Sequence, residues 1–121
     1  MVLLIDTSAW VDFIRKGETA QPALASALRD GTAALTEPVW AELWSGARNK
    51  REDDFLQGVK SSCLWLGCDP ECWERSYHLR RKAIRKGLNC PLADVLIVAC
   101  ALRHGAEICH ADKHITTLLK L

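Results

Sequence analysis

Between Pro91 and Leu102 the chain carries one charged side chain, Asp94, in a stretch of twelve residues that is otherwise apolar on every side. A helix with no solvent face has to be covered all round, so this segment is the expected centre of the fold. The lone carboxylate within it is costly to bury unless it meets a cation, a partner or a metal. Asp94 falls in the first turn of that helix, where its charge also suits the helix dipole.

The flanking pattern says what covers the segment. Val2 to Ile5 is a continuous apolar run that reads as a buried strand, handing over at Asp6 to a helix capped by Thr7 or Ser8 and ended by Gly17. A second helix with Leu24, Ala27 and Leu28 stops near Gly31, and a strand at Ala33–Thr36 follows. Pro38 opens a helix with Trp40, Leu43, Trp44 and Ala47 on one face and Glu42 outside it. An exposed helix from Arg48, a strand near Cys63–Leu66, an amphipathic helix from Glu71 to Lys86 with Gly87 as its C-cap, the apolar helix, a strand at Glu107–Cys109 and a terminal helix complete the series. Strands separated by helices require crossover connections. The expected fold is therefore α/β, a three-layer α/β/α sandwich around a parallel sheet of four to five short strands. Ligands in such sheets collect at the carboxyl ends of the strands.

A chain of 121 residues suits one domain. Apolar residues are 49% and charged residues 26%, the profile of a folded soluble protein. The N-terminus lacks the basic flank and apolar length of a signal peptide and no run is long enough to span a bilayer, so a cytoplasmic location without membrane contact is expected. With a net charge of +1, nucleic acid would have to be held by local patches. The six cysteines are expected as free thiols: Cys63-x4-Cys68-x3-Cys72 could be half of a zinc site, but the other cysteines lie in apolar stretches and form no second close pair.

Four acids, Asp6, Glu42, Asp94 and Asp112, map to one edge of the expected sheet. Taken singly, each reads as a cap or a solvated charge. Together they would repel unless raised pKa values or bound cations relieve the strain. Hard oxygen donors at that density select Mg2+, with Mn2+ as a substitute. A carboxylate-held metal with open positions is suited to phosphodiester hydrolysis.

These residues carry a resemblance. Asp6-Thr7-Ser8-Ala9-Trp10 after an apolar strand, Glu42-Leu43 with Gly46, Pro91-Leu92-Ala93-Asp94 leading into Ile97-Val98-Ala99, and His110-Ala111-Asp112-Lys113-His114 resemble, in order and spacing, the four signature segments of PIN domains. The size is similar to the VapC-type toxins of bacterial toxin–antitoxin pairs, and the likeness makes residues 1–121 a single PIN-like domain. It implies a Mg2+-dependent endoribonuclease acting on transfer or ribosomal RNA. It also implies a homodimer, a cognate VapB-like antitoxin lying across the cleft, and promoter DNA bound through the antitoxin. Asp6, Glu42, Asp94 and Asp112 take the family's acidic positions, with Asp6 and Asp94 as the closest metal ligands and Thr7 and Ser8 as the small hydroxyl residues beside them. His110 stands where Thr or Ser is common, and His114 and Ile115 where an acid and an aromatic are common, which bears on a second metal.

Arg80, Arg81, Arg85 and Lys86 offer candidate RNA contacts, against the plainer reading of a solvated helix face. Trp10, Trp40 and Trp44 read mainly as core, or as an antitoxin groove where exposed. His110 is a candidate auxiliary group, although surface positions are expected for it and for His114. Two rivals stand beside the nuclease. A haloacid-dehalogenase-type phosphatase wants a second acid where Ser8 stands, and a catalytically inactive RNA- or protein-binding module would not need all four acids.

Overall fold

The computed structural model describes residues 1–121. At its centre β1 (Leu3–Ile5), β2 (Ala33–Leu35), β3 (Leu64–Trp65) and β4 (Glu107–Cys109) pair in parallel in the order β3-β2-β1-β4. Leu3 lies opposite Ala33 on one side and Glu107 on the other, and Ile5 lies opposite Cys109. Leu4, Ile5 and Ala33 to Leu35 are wholly buried, as strands covered on both faces require. Helices α1 (Thr7–Lys16), α2 (Pro22–Asp30), α3 (Glu37–Ser45), α4 (Lys50–Ser62), α5 (Pro70–Arg85), α6 (Leu92–His104) and α7 (Lys113–Leu119) complete the three-layer α/β architecture expected from the sequence.

The strand order matters more than the strand count. From β1 the chain builds outward through β2 to β3, then returns to lay β4 on the free flank of β1. Such a reversal opens a crevice between β1 and β4 at their carboxyl ends. Asp6 directly follows β1, and Asp112 follows β4 by three residues.

Local differences from the sequence reading have physical causes. Asp6 itself, not Thr7 or Ser8, caps α1 by accepting from the Ala9 N–H, because the residue before the first helical one has the extended backbone a cap needs. Helix α4 is longer than its charged start suggests: Asn49 caps it, and Leu56 and Val59 then bury one face. The strand near Cys63–Leu66 shrinks to a two-residue edge strand with both side chains exposed. Lys86, rather than Gly87, is the C-cap of α5, and Gly87 supplies the positive φ just after it. Helix α6 is buried from Val95 to Ala101, but Leu92 and Leu102 reach solvent at its ends, beyond the layers that cover it.

Candidate active site

Asp6 is the most enclosed of the four acids, at 2% exposure. Its Oδ1 accepts from the Ala9 N–H at 2.9 Å, and the Ser8 hydroxyl reaches both carboxylate oxygens at 2.9 Å. The same hydroxyl accepts from the Ala111 N–H at 3.1 Å, so Ser8 ties the end of β1 to the segment after β4. Burial raises the Asp6 pKa above the ordinary carboxylate value, and its hydrogen bonds to Ala9 and Ser8 only partly offset this. His110 lies close enough to favour the Asp6 anion, while its ring folds back onto the Asp112 backbone.

Asp94 enters from the first turn of α6 and Asp112 from the N-cap of α7, where its Oδ1 accepts from the His114 N–H at 2.7 Å. Between them stands the His114 ring, with Nδ1 at 3.6 Å from Asp94 and 3.3 Å from Asp112. Burial pushes the Asp94 carboxyl up to about 6, and the charges of Asp112, Glu42 and Asp6 add to that while His114 opposes it. Asp94 therefore feels the charge of the other three acids. Glu42 is the outermost, exposed on α3 and held by the Thr7 hydroxyl, which donates to Oε1 at 2.6 Å.

In the sequence His114 stands as a proton-transfer or phosphate-contacting group against a plain surface position, and the structure sets it, half-buried, beside the acids. Its signal was its place two residues beyond a helix-capping aspartate, where the first turn aims it back at the cap. Ligand atoms of Asp94, Asp112 and His114 lie within 4.8 Å of one another. Asp6 stands beside this group, with both carboxylate oxygens oriented by the hydrogen bonds from Ser8 and Ala9. The donor set suits a divalent cation: like charges crowd together, one carboxyl is held near pH 6, and an ion would remove the cause of both.

Other candidates fall elsewhere. Trp10 is fully buried and cannot line a groove. Trp40 and Trp44 stack at 5.5 Å, with the Lys60 amine over Trp40. They lie apart from the groove of about 680 Å³ that runs beside Glu42. That groove is lined instead by Val11, Ile14, Leu43 and Phe55, with Arg15 and Arg51 at its rim. Arg80 is not a free surface charge: it donates to the Cys90 carbonyl at 2.9 Å and orders the approach to α6. Arg81, Arg85 and Lys86 are exposed. No helix is long and apolar enough to cross a membrane.

Comparison with known proteins identifies relatives of this fold. The PIN domain family model matches residues 3–118. The chain is 31% identical to the ribonuclease VapC11 of Mycobacterium tuberculosis and to a VapC ribonuclease of Mycobacterium bovis, in each case over 99% of this chain and 93% of the relative. Among solved structures it is similar to VapBC-1 from nontypeable Haemophilus influenzae, with a TM-score of 0.82 at 12% identity over 99% of this chain and 93% of that one. It is also similar to VapBC2 from Rickettsia felis, solved with a promoter DNA fragment, with a TM-score of 0.78 at 24% identity over 89% and 85% of the two chains.

Proposed function

The chain belongs to the PIN domain family, and from that premise we propose that it is a Mg2+-dependent endoribonuclease toxin of the VapC type, acting in the cytoplasm on transfer or ribosomal RNA. The observation that carries the reading is the crowding of Asp94, Asp112 and His114 at the crevice between β1 and β4, with Asp6 and Glu42 beside them. A cation bound by the carboxylates here would polarise a phosphate oxygen and offset the charge that grows on phosphate during hydrolysis. Asp6, Asp94 and Asp112 would hold it, and Glu42 would orient water at the mouth. His114 Nδ1 is near enough to both inner aspartates to hold a proton and pass it to a leaving oxygen. Ser8 and the Ala9 N–H fix the direction of the Asp6 carboxylate. Exposed Arg81, Arg85 and Lys86 would meet RNA phosphates.

The reading carries a VapB-like antitoxin and a homodimer with it, and promoter contact would come through the antitoxin. The apolar groove beside Glu42 supports an antitoxin segment docking there, because Ile14 and Phe55 are exposed within it and two arginines flank it. Trp73, Tyr77 and Ile84, exposed along α5, are apolar surface of the kind a second copy covers.

The purified chain, freed of any partner, is incubated with total transfer and ribosomal RNA in Mg2+ or EDTA. Asp94→Asn and Asp6→Asn are better variants than alanine, since asparagine at position 6 still caps α1. Mg2+-dependent cutting lost in both variants supports the proposal. A folded parent that cuts nothing, or variants that cut like the parent, would sink it in favour of a binding module.

A further inference from the structure

Three indoles and an amine form a patch on the β3 side of the molecule that the carboxylate site does not use. Trp40 and Trp44, four residues apart on α3, stack at 5.5 Å with their planes 23° from parallel. The Lys60 amine, from the last turn of α4, stands 4.9 Å from the centre of the Trp40 ring and 5.2 Å from that of Trp65. Trp65 ends β3, and Glu37 fixes its ring: Oε2 accepts from the indole N–H at 3.2 Å while Oε1 accepts from the Cys68 N–H at 2.7 Å. Trp44 and Trp65 are each 41% exposed. One face of Trp44 lies against Trp40, so its accessible surface is the opposite face and the ring edge.

We propose that this patch is a stacking platform for an unpaired base of the RNA substrate, with Trp44 as the contact face and Lys60 as the phosphate partner. The identity of the substrate rests on the nuclease reading; the platform itself rests on the indoles. Every base has a π-face that can stack on an exposed indole, and a ring already held in place loses little freedom when it does. The charge at the centre of the patch selects nucleic acid over an apolar protein segment. Lys16 and Lys50 are paired with carboxylates, whereas the Lys60 amine has two aromatic rings beside it and no carboxylate in ion-pair reach. An apolar segment laid here would strip water from that ammonium without replacing it, while a nucleotide brings a phosphate to it. Position agrees with this choice. Trp65 stands at the carboxyl end of β3, the sheet edge that also carries Asp6, two strands away. Glu42 and the ring pair lie on opposite sides of α3, which is about 10–12 Å across with its side chains. A strand crossing α3 therefore puts its stacked base a few nucleotides from the bond at the carboxylates.

The test uses the full chain in EDTA, where nothing is cut, titrated with a short labelled single-stranded RNA and with the duplex of the same sequence. Trp44→Ala should weaken single-strand binding by roughly 5- to 150-fold, the scale of one lost base stack, and leave duplex binding unchanged. Trp44→Phe, which keeps a flat ring, should restore most of the loss, and a cooperative melt of each variant shows that it is folded. Lys60→Gln should reduce the slope of log affinity against log salt by about 0.7, the share of one phosphate contact. In Mg2+, Trp44→Ala should raise KM for cleavage with kcat little changed. Single-strand binding that survives Trp44→Ala, or a loss equal on duplex and single strand, overturns the platform and leaves the nuclease reading standing. A Trp44→Ala chain that changes its sedimentation mass but binds RNA like the parent makes the patch an interface between copies and overturns the platform too. A parent that cuts nothing yet binds single strands through Trp44 supports the platform and removes the nuclease reading alone.

Discussion

The carboxylates at the start of α6 and the buried thiols near its end, Cys72 and Cys100, hold opposite kinds of tension. Asp94 opens α6 and Cys100 and His104 close it, roughly 9 to 15 Å further along the helix axis at about 1.5 Å per residue. The acids are crowded charges, which burial and mutual repulsion drive toward protonation. The thiols are crowded neutral groups, protonated and hydrogen-bonded, with burial pushing Cys68, Cys72 and Cys100 above the ordinary thiol value. One site is unstable until a cation arrives, and the other is content without one. A sheet edge collects polar groups by topology, while donor chemistry decides whether collecting them costs stability or adds to it.

The largest effect expected is on chemistry, and it runs against stability. Asp94→Asn should lower RNA cleavage by roughly 10²- to 10⁴-fold, the scale of a lost proton-transfer or positioning group. The same variant should melt at a higher temperature than the parent at pH 7 without metal, because it removes a charge the fold disfavours. Cleavage assays and thermal melts on one preparation check both, and a variant that melts lower breaks the contrast.

The pH dependence separates the clusters further. A carboxyl held at about 6 against an ordinary 3.8 contributes stability that is complete below the lower value and lost as pH rises through the upper one. Between pH 4 and 7 the metal-free chain should lose up to about 3 kcal/mol through Asp94. Parent and Asp94→Asn unfolding curves compared at pH 4.5 and 7 give that difference, and Mg2+ should flatten it. The thiols add nothing in this window, since their raised values place the corresponding loss above pH 9.

The smallest effect is expected at Ser8. Removing its hydroxyl deletes the bond to Asp6 and the one from Ala111, and Ser8→Ala should cost about 1 kcal/mol in urea unfolding. Cleavage should fall by less than in Asp94→Asn, since the Ala9 N–H still holds the Asp6 carboxylate.

Layer order and strand positions were legible because continuous apolar runs such as Val2–Ile5 and the all-apolar α6 have one way to be covered. The placement of β4 beside β1 was not, since strand order is a tertiary outcome that no local pattern encodes. Asp6, Asp94 and Asp112 could be singled out as acids following strands or opening helices. That His114 would stand between two of them depends on the turn of α7, which spacing alone does not show. Trp10 could not be told from Trp44 by type: one packs wholly in the core and the other is 41% exposed.

The position of β4 on the far flank of β1 also sets an order in time. Asp6 is made 106 residues before Asp112, and at about 5–20 residues per second synthesis separates them by several seconds. No partial chain can assemble the crevice, because one of its walls does not yet exist. Until Asp112 has been made, the nascent polypeptide sits on the ribosome, a particle made largely of RNA, without a complete site.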